Sequence, residues 1–83
     1  MNKIQLNNKF KLTKHQLSEI SGVPYWSIDN YCRGKRSLDN APLETLIRLS
    51  IALNCKIEDL IDDTERIAEI RLILKPTNIN KVL

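Results

Sequence analysis

A chain of 83 residues and 9.6 kDa, 42% hydrophobic and 28% charged, is too short for two cores and too apolar for wholesale disorder, so it reads as one small globular domain. One His and two widely separated cysteines, Cys32 and Cys55, which fit no C-x-x-C spacing, leave no material for a zinc site or a histidine-centred active site; neither an enzyme nor a cofactor is expected. The net charge of +3 is polarised: seven cations accompany two anions up to Arg36, and six accompany eight from Ser37 onward, which is the footprint of a polyanion contact on one side of the molecule.

No apolar run follows the N-terminus as a signal peptide requires, and no stretch approaches the ~18 uncharged apolar residues that span a bilayer. The expectation is a soluble protein of a reducing cytoplasm, without a membrane partner.

In chain order, the segment before Thr13 has room for one brief helix, with Ile4, Leu6 and Phe10 as its core contacts. Thr13 followed by Gln16, just ahead of Leu17 and Ile20, is a capping box: the Thr hydroxyl accepts the third amide and the Gln side chain reaches back to the first. A helix therefore starts at Lys14. Ser21-Gly22-Val23-Pro24 interrupts it, because Gly enters the left-handed region after a helix and Pro bends its predecessor out of one. The next helix, Tyr25 to Arg33, carries Ile28 and Tyr31 on one face and ends at Gly34, where a C-terminal glycine belongs.

Lys35 to Asn40 reads as a polar loop. Asn40 or Ala41 then caps a helix with Pro42 in its first turn, along which Leu43, Leu46, Leu49 or Ser50, and Leu53 repeat at helical spacing. Asn54 and Cys55 break it, and Ile57, Leu60 and Ile61 describe one more short amphipathic turn or two, the fifth helical element. Residues 64 to 83 fit two patterns. Ile67, Ile70 and Ile73 or Leu74 suit a helix, while Ala68, Ile70, Leu72 and Leu74 alternate with Glu69, Arg71, Ile73 and Lys75 as a half-buried strand does; helix is preferred. Pro76 ends either one, and Thr77 to Leu83 reads as a loose or partner-ordered tail.

Two short helices joined by a Gly-containing turn, the first capped and the second polar on its outward face, make a helix-turn-helix, whose second helix fits the DNA major groove while the amides of the first approach a phosphate. The run Leu12-Thr13-Lys14-His15-Gln16-Leu17-Ser18-Glu19-Ile20-Ser21-Gly22-Val23-Pro24 through Ile28, then Arg33-Gly34-Lys35-Arg36, resembles the Cro/CI-type (XRE family) transcriptional regulators. Pro42-Leu43-Glu44-Thr45-Leu46, Leu49, Ala52-Leu53, Ile57 and Glu58-Asp59-Leu60-Ile61 are similar to the fourth and fifth helices of that fold. The resemblance, over residues 12 to 61, implies an all-α, five-helix, lambda-repressor-like domain at 1–63, followed by a C-terminal extension at 64–83.

It also implies that Tyr25 to Arg33 is the recognition helix. With Ile28 and Tyr31 facing inward, Tyr25, Trp26, Asp29, Asn30 and Arg33 face out. Asn30 is the best base reader, since its carboxamide pairs with adenine N6 and N7. Tyr25 and Trp26 stand where the family places small or polar residues; they suit thymine methyls, sugar stacking or a protein-binding patch, or Trp26 folds back over the core. Asp29 either accepts from a cytosine amino group or orients Asn30 or Arg33. Thr13, Lys14, Ser27, Arg33, Lys35 and Arg36 are the candidate phosphate contacts, which fix register without reading sequence. In the family the position of Lys14 is often Gln. His15 reads as a surface residue, and the cysteines as small hydrophobes.

Ile67, Ile70, Leu72, Ile73 and Leu74 carry more apolar surface than a tail on a five-helix domain hides, and either pair two copies or pack within the chain. The function expected is sequence-specific binding of a double-stranded DNA operator by a dimeric repressor or autorepressor. The alternative is an antitoxin-like module in which the C-terminal segment or the Tyr25-Trp26 patch binds and neutralises a toxin or other protein partner, with DNA binding for autoregulation.

Overall fold

A computed structural model describes residues 3–74 of the chain. Pro76 and the tail from Thr77 to Leu83 lie outside the described residues, as does the side chain of Leu74. Five α-helices, α1 (Lys3–Leu6), α2 (Lys14–Ser21), α3 (Tyr25–Cys32), α4 (Leu43–Leu53) and α5 (Thr64–Leu74), are joined with two single 3-10 turns, Leu38–Asn40 and Ile57–Asp59; the described residues include no strand.

Local chemistry sets most of these boundaries. The capping box at the start of α2 is complete: the Gln16 amide donates to Thr13 Oγ1 at 3.1 Å, and the Thr13 amide to Gln16 Oε1 at 2.9 Å. Gly22 closes α2 at φ +77°, its amide donating to the Ser18 carbonyl at 2.9 Å. A side chain there would be strained by this φ, and its Cβ, 2.7 Å from Arg48 Nη1, would push the Arg48 guanidinium aside. Pro24 precedes α3, and its carbonyl accepts the Ser27 and Ile28 amides at 3.0 and 3.2 Å. Asn54, at φ +53°, ends α4 in the left-handed conformation that Asn tolerates.

Two expectations shift and one holds. Asn40 does not cap α4: Leu38–Asn40 forms its own 3-10 turn, capped by the Ser37 hydroxyl, and Pro42 occupies the N-cap position of α4. The Ile57–Ile61 segment is a 3-10 turn over Ile57–Asp59. The extension resolves in favour of helix, and the signal lies at its start: Asp63 Oδ1 accepts the Glu65 and Arg66 amides at 3.1 and 3.2 Å, an N-cap that no strand would use.

The core is one cluster. Leu17 from α2, Ile28 and Tyr31 from α3, and Leu46, Leu49 and Leu53 from α4 are buried around it, with Ile4 closing one end. Leu60, Ile61 and Ile70 join the cluster, so α5 packs onto the same core as the helix-turn-helix. Leu6 and Phe10, expected inside, are exposed, 62% and 60%. The α1–α2 connection is held instead by Asn8, whose side chain donates to the Leu12 carbonyl at 2.8 Å and accepts the Leu12 amide at 2.9 Å.

The fifth helix is tied down by backbone contacts. The Arg66 guanidinium donates to the carbonyls of Asp39 and Ala41, and Asp39 Oδ1 accepts the Asp62 and Asp63 amides at 2.8 and 3.3 Å. Arg71 pairs with Glu58, and Lys3 with Asp62 at 3.0 Å. These contacts lock the entry to α5 onto the segment that follows α3.

Candidate nucleic-acid interface

The wheel expected for α3 holds at its inward positions and at three of its five outward ones. Ile28 and Tyr31 are buried, and Tyr25, Trp26 and Arg33 are exposed, with Ser27, Asp29 and Asn30 half-buried between the two faces. The Trp26 ring does not fold over the core: it is 58% exposed, and the Arg36 guanidinium lies 5.6 Å from its centroid, a cation–π contact worth about 0.5 to 1 kcal/mol at such a site. Tyr25 stacks on the exposed ring of His15, centroids 4.2 Å apart and planes 15° apart. His15 thus acquires a role its sequence context did not signal: it braces the first residue of α3 from the first turn of α2.

Asp29 occupies the centre of the charged group. Its carboxylate accepts from Lys14 Nζ at 2.7 Å, and Arg33 Nε lies 3.0 Å from both of its oxygens. Lys14 opens α2 and Arg33 caps α3, so a single anion joins both ends of the motif. Hydrogen bonds from Lys14 and then Arg33 hold the Asp29 carboxyl below the usual carboxylate range, and the same bond from Asp29 raises the Lys14 ammonium above its ordinary value.

The other candidates fall around this group. Thr13 is exposed and its hydroxyl is spent on the α2 cap. Lys35 and Arg36 follow the left-handed Gly34, and their amides donate to the Asn30 carbonyl at 2.9 and 3.3 Å, which folds the basic loop back onto the last turn of α3. Among the described residues the Asn30 carboxamide has no hydrogen-bond partner, so its donors and acceptor stand open. The structure brings Tyr25, Trp26, Asp29, Asn30, Arg33, Lys35 and Arg36 together on α3 and the loop after it, with Lys14 joined to them through Asp29.

The apolar residues of the extension divide. Ile70 is 6% exposed and Ile67 packs against the core, because α5 needs one face to dock on this chain. Leu72 and Ile73 are 77% and 64% exposed. Among the described residues no group of three His, Cys, Asp or Glu could hold a metal ion, and no helix is long and apolar enough to cross a membrane.

A family model described as helix-turn-helix matches residues 4–60, from α1 through the second 3-10 turn. No curated protein and no solved structure gives a significant match. The matched span covers the capped α2, the Gly22 turn, α3 and its buried Ile28, and the Leu-rich α4; the chain belongs to the helix-turn-helix family of Cro/CI (XRE) type, whose members are DNA-binding regulators.

Proposed function

We propose that the protein is a cytoplasmic, cofactor-independent repressor that binds a palindromic double-stranded operator as a homodimer, beside its own or a neighbouring gene, with no catalytic role. The observation that carries this reading is the outward face of α3: an open carboxamide on Asn30 beside exposed rings and bracketed by cations. Asn30 would pair with an adenine edge. Tyr25 and Trp26 would meet thymine methyls or sugars, with Asp29 beside them at the groove floor. Thr13, Lys14, Ser27, Arg33, Lys35 and Arg36 would lie along phosphates and set register. Repression then needs only steric exclusion of polymerase from a promoter that overlaps the operator.

The division of labour would run at residue 63, with 1–63 reading DNA and 64–83 supplying contacts between copies. Leu72 and Ile73 support a twofold pairing, which sets two recognition helices about one DNA turn, ~34 Å, apart. The same exposed pair supports a second reading, an antitoxin-like module whose α5 face covers a toxin or other protein partner while α3 serves autoregulation.

Two substitutions test the role assignment by fluorescence anisotropy. Asn30→Ala is expected to relax selectivity at one base pair, by about 1 to 3 kcal/mol. Lys35→Ala is expected to weaken all sequences alike and flatten the salt dependence by about one unit. Identical behaviour of the two variants would overturn the assignment.

A further inference from the structure

We propose that Asp29 is a positioning residue that sets specificity by restraint: it holds Lys14 and Arg33 on one shared carboxylate, so that they serve phosphates only in the correct DNA register. The proposal rests on the DNA-binding reading and adds a second task to one of its base-reading candidates.

The geometry is that of a shared counter-ion. Lys14 Nζ lies 2.7 Å and Arg33 Nε 3.0 Å from the carboxylate, whose side chain is 20% exposed against 37% for Lys14 and 61% for Arg33. Water therefore competes less for Asp29 than for either cation. Of the four cations around α3, Lys35 and Arg36 make no ion pair among the described residues, and Arg36 rests on the Trp26 ring. Sequence-independent attraction of a phosphate backbone falls to those two.

A phosphate that approaches Lys14 meets the Asp29 charge 2.7 Å from the same ammonium, and the repulsion offsets part of the attraction. Only a register that presents a hydrogen-bond donor from the groove floor to the carboxylate relieves that cost and releases Lys14 and Arg33 to the backbone. An anion placed this way discriminates by penalising wrong partners, the repulsive element that specificity requires beside attractive contacts. The ion pair also spans α2 and α3, so it orients the recognition helix against the helix that crosses the backbone.

The test compares the DNA upstream of the protein's own gene with a scrambled duplex, by anisotropy over a salt series, for the full chain. Asp29→Asn is expected to tighten binding to the scrambled duplex by roughly three- to tenfold, and to steepen its log–log salt slope by about two units, since each of the two cations freed for a phosphate releases a counterion. Binding to the native DNA is expected to change less, so the ratio of the two affinities falls. Asp29→Glu, which keeps the charge, is expected to retain the wild-type slope. An Asp29→Asn protein with unchanged slope and ratio, or with equal losses on both duplexes, overturns the proposal.

Should Asp29→Asn fail to fold, Lys14→Gln and Lys35→Gln decide the matter. On scrambled DNA the first is expected to leave the slope unchanged and the second to flatten it by about one unit; equal flattening overturns the restraint. Wild-type protein that binds both duplexes equally overturns the proposal while leaving DNA binding intact, and wild-type protein that binds neither removes both.

Discussion

The two ends of the molecule use polar side chains differently. On the outer face of α3 the charged and aromatic side chains pair with one another or with the first turn of α2: Lys14 and Arg33 with Asp29, His15 with Tyr25, Arg36 with Trp26. On the α5 side the central contacts run to backbone: Arg66 to the carbonyls of Asp39 and Ala41, Asp39 to the amides of Asp62 and Asp63, and Asn7 to the carbonyl of Asp59. Among the described residues only Arg71–Glu58 and Lys3–Asp62 pair charged side chains there. A backbone partner is fixed by the fold, whereas a side-chain partner on an open surface can be exchanged for a ligand. The contrast marks the first side as the surface that trades contacts and the second as the clamp that holds the frame.

The largest effect expected is on the exposed part of the clamp. Leu72→Glu with Ile73→Glu should leave the fold intact, since both side chains are at the surface, yet lower affinity for a two-half-site operator by about a hundredfold, because loss of pairing forfeits the avidity of two linked contacts. Sedimentation and anisotropy read the two quantities separately. Unchanged affinity together with a monomeric wild type would remove the dimer from the account.

Arg66→Ala tests whether the backbone contacts hold the frame. Loss of the two charge-assisted bonds to Asp39 and Ala41 should cost about 2 kcal/mol in chemical denaturation. Stability within a few tenths of wild type would show that α5 is held by Ile67 and Ile70 alone. Gly22→Ala is expected to cost about 1 to 2 kcal/mol from its left-handed φ. With Arg48→Ala added, the remaining cost isolates the backbone share, because the close approach to Nη1 is then gone.

What the sequence disclosed and what it withheld follow the same division. The capping box at Thr13 and Gln16, the glycine after α2, Gly34 and the Leu repeat of α4 are local, each set within a few residues, and the family resemblance rests on them. The Asp29–Lys14 pair joins residues 15 apart, the Arg48–Gly22 contact 26, and the Arg66 contacts 25 and 27. No periodicity encodes such pairings, because they depend on how helices cross. The ambiguity of residues 64–74 had a local answer in the Asp63 cap, but a helix that buries one narrow face presents the same alternation of apolar and polar residues as a strand. Leu6 is exposed because so short a helix as α1 buries one residue, Ile4, and Phe10 lies beyond that helix in an exposed turn.

The smallest effect expected concerns pH. Asp29 and Glu58 are both held below their ordinary values, by Lys14 with Arg33 and by Arg71 respectively. A depressed carboxyl contributes stability that is present above its unfolded pKa, about 4, and is lost as pH falls through the folded value. Lys14, raised, contributes stability that fades only well above pH 10. Thermal melts should therefore be flat with respect to these groups from pH 5 to 8 and decline below about pH 4, and Asp29→Asn should make the acid limb shallower. An equally steep limb in that variant would place the acid sensitivity elsewhere.

The most direct test of the central claim is an anisotropy titration of the purified protein against the DNA upstream of its own gene and against a scrambled duplex, at two salt concentrations. Preference for the native DNA that survives the higher salt, at two chains per site, is the result predicted for a dimeric repressor. Weak binding, equal for both duplexes and abolished by salt, would contradict it and leave only a basic surface.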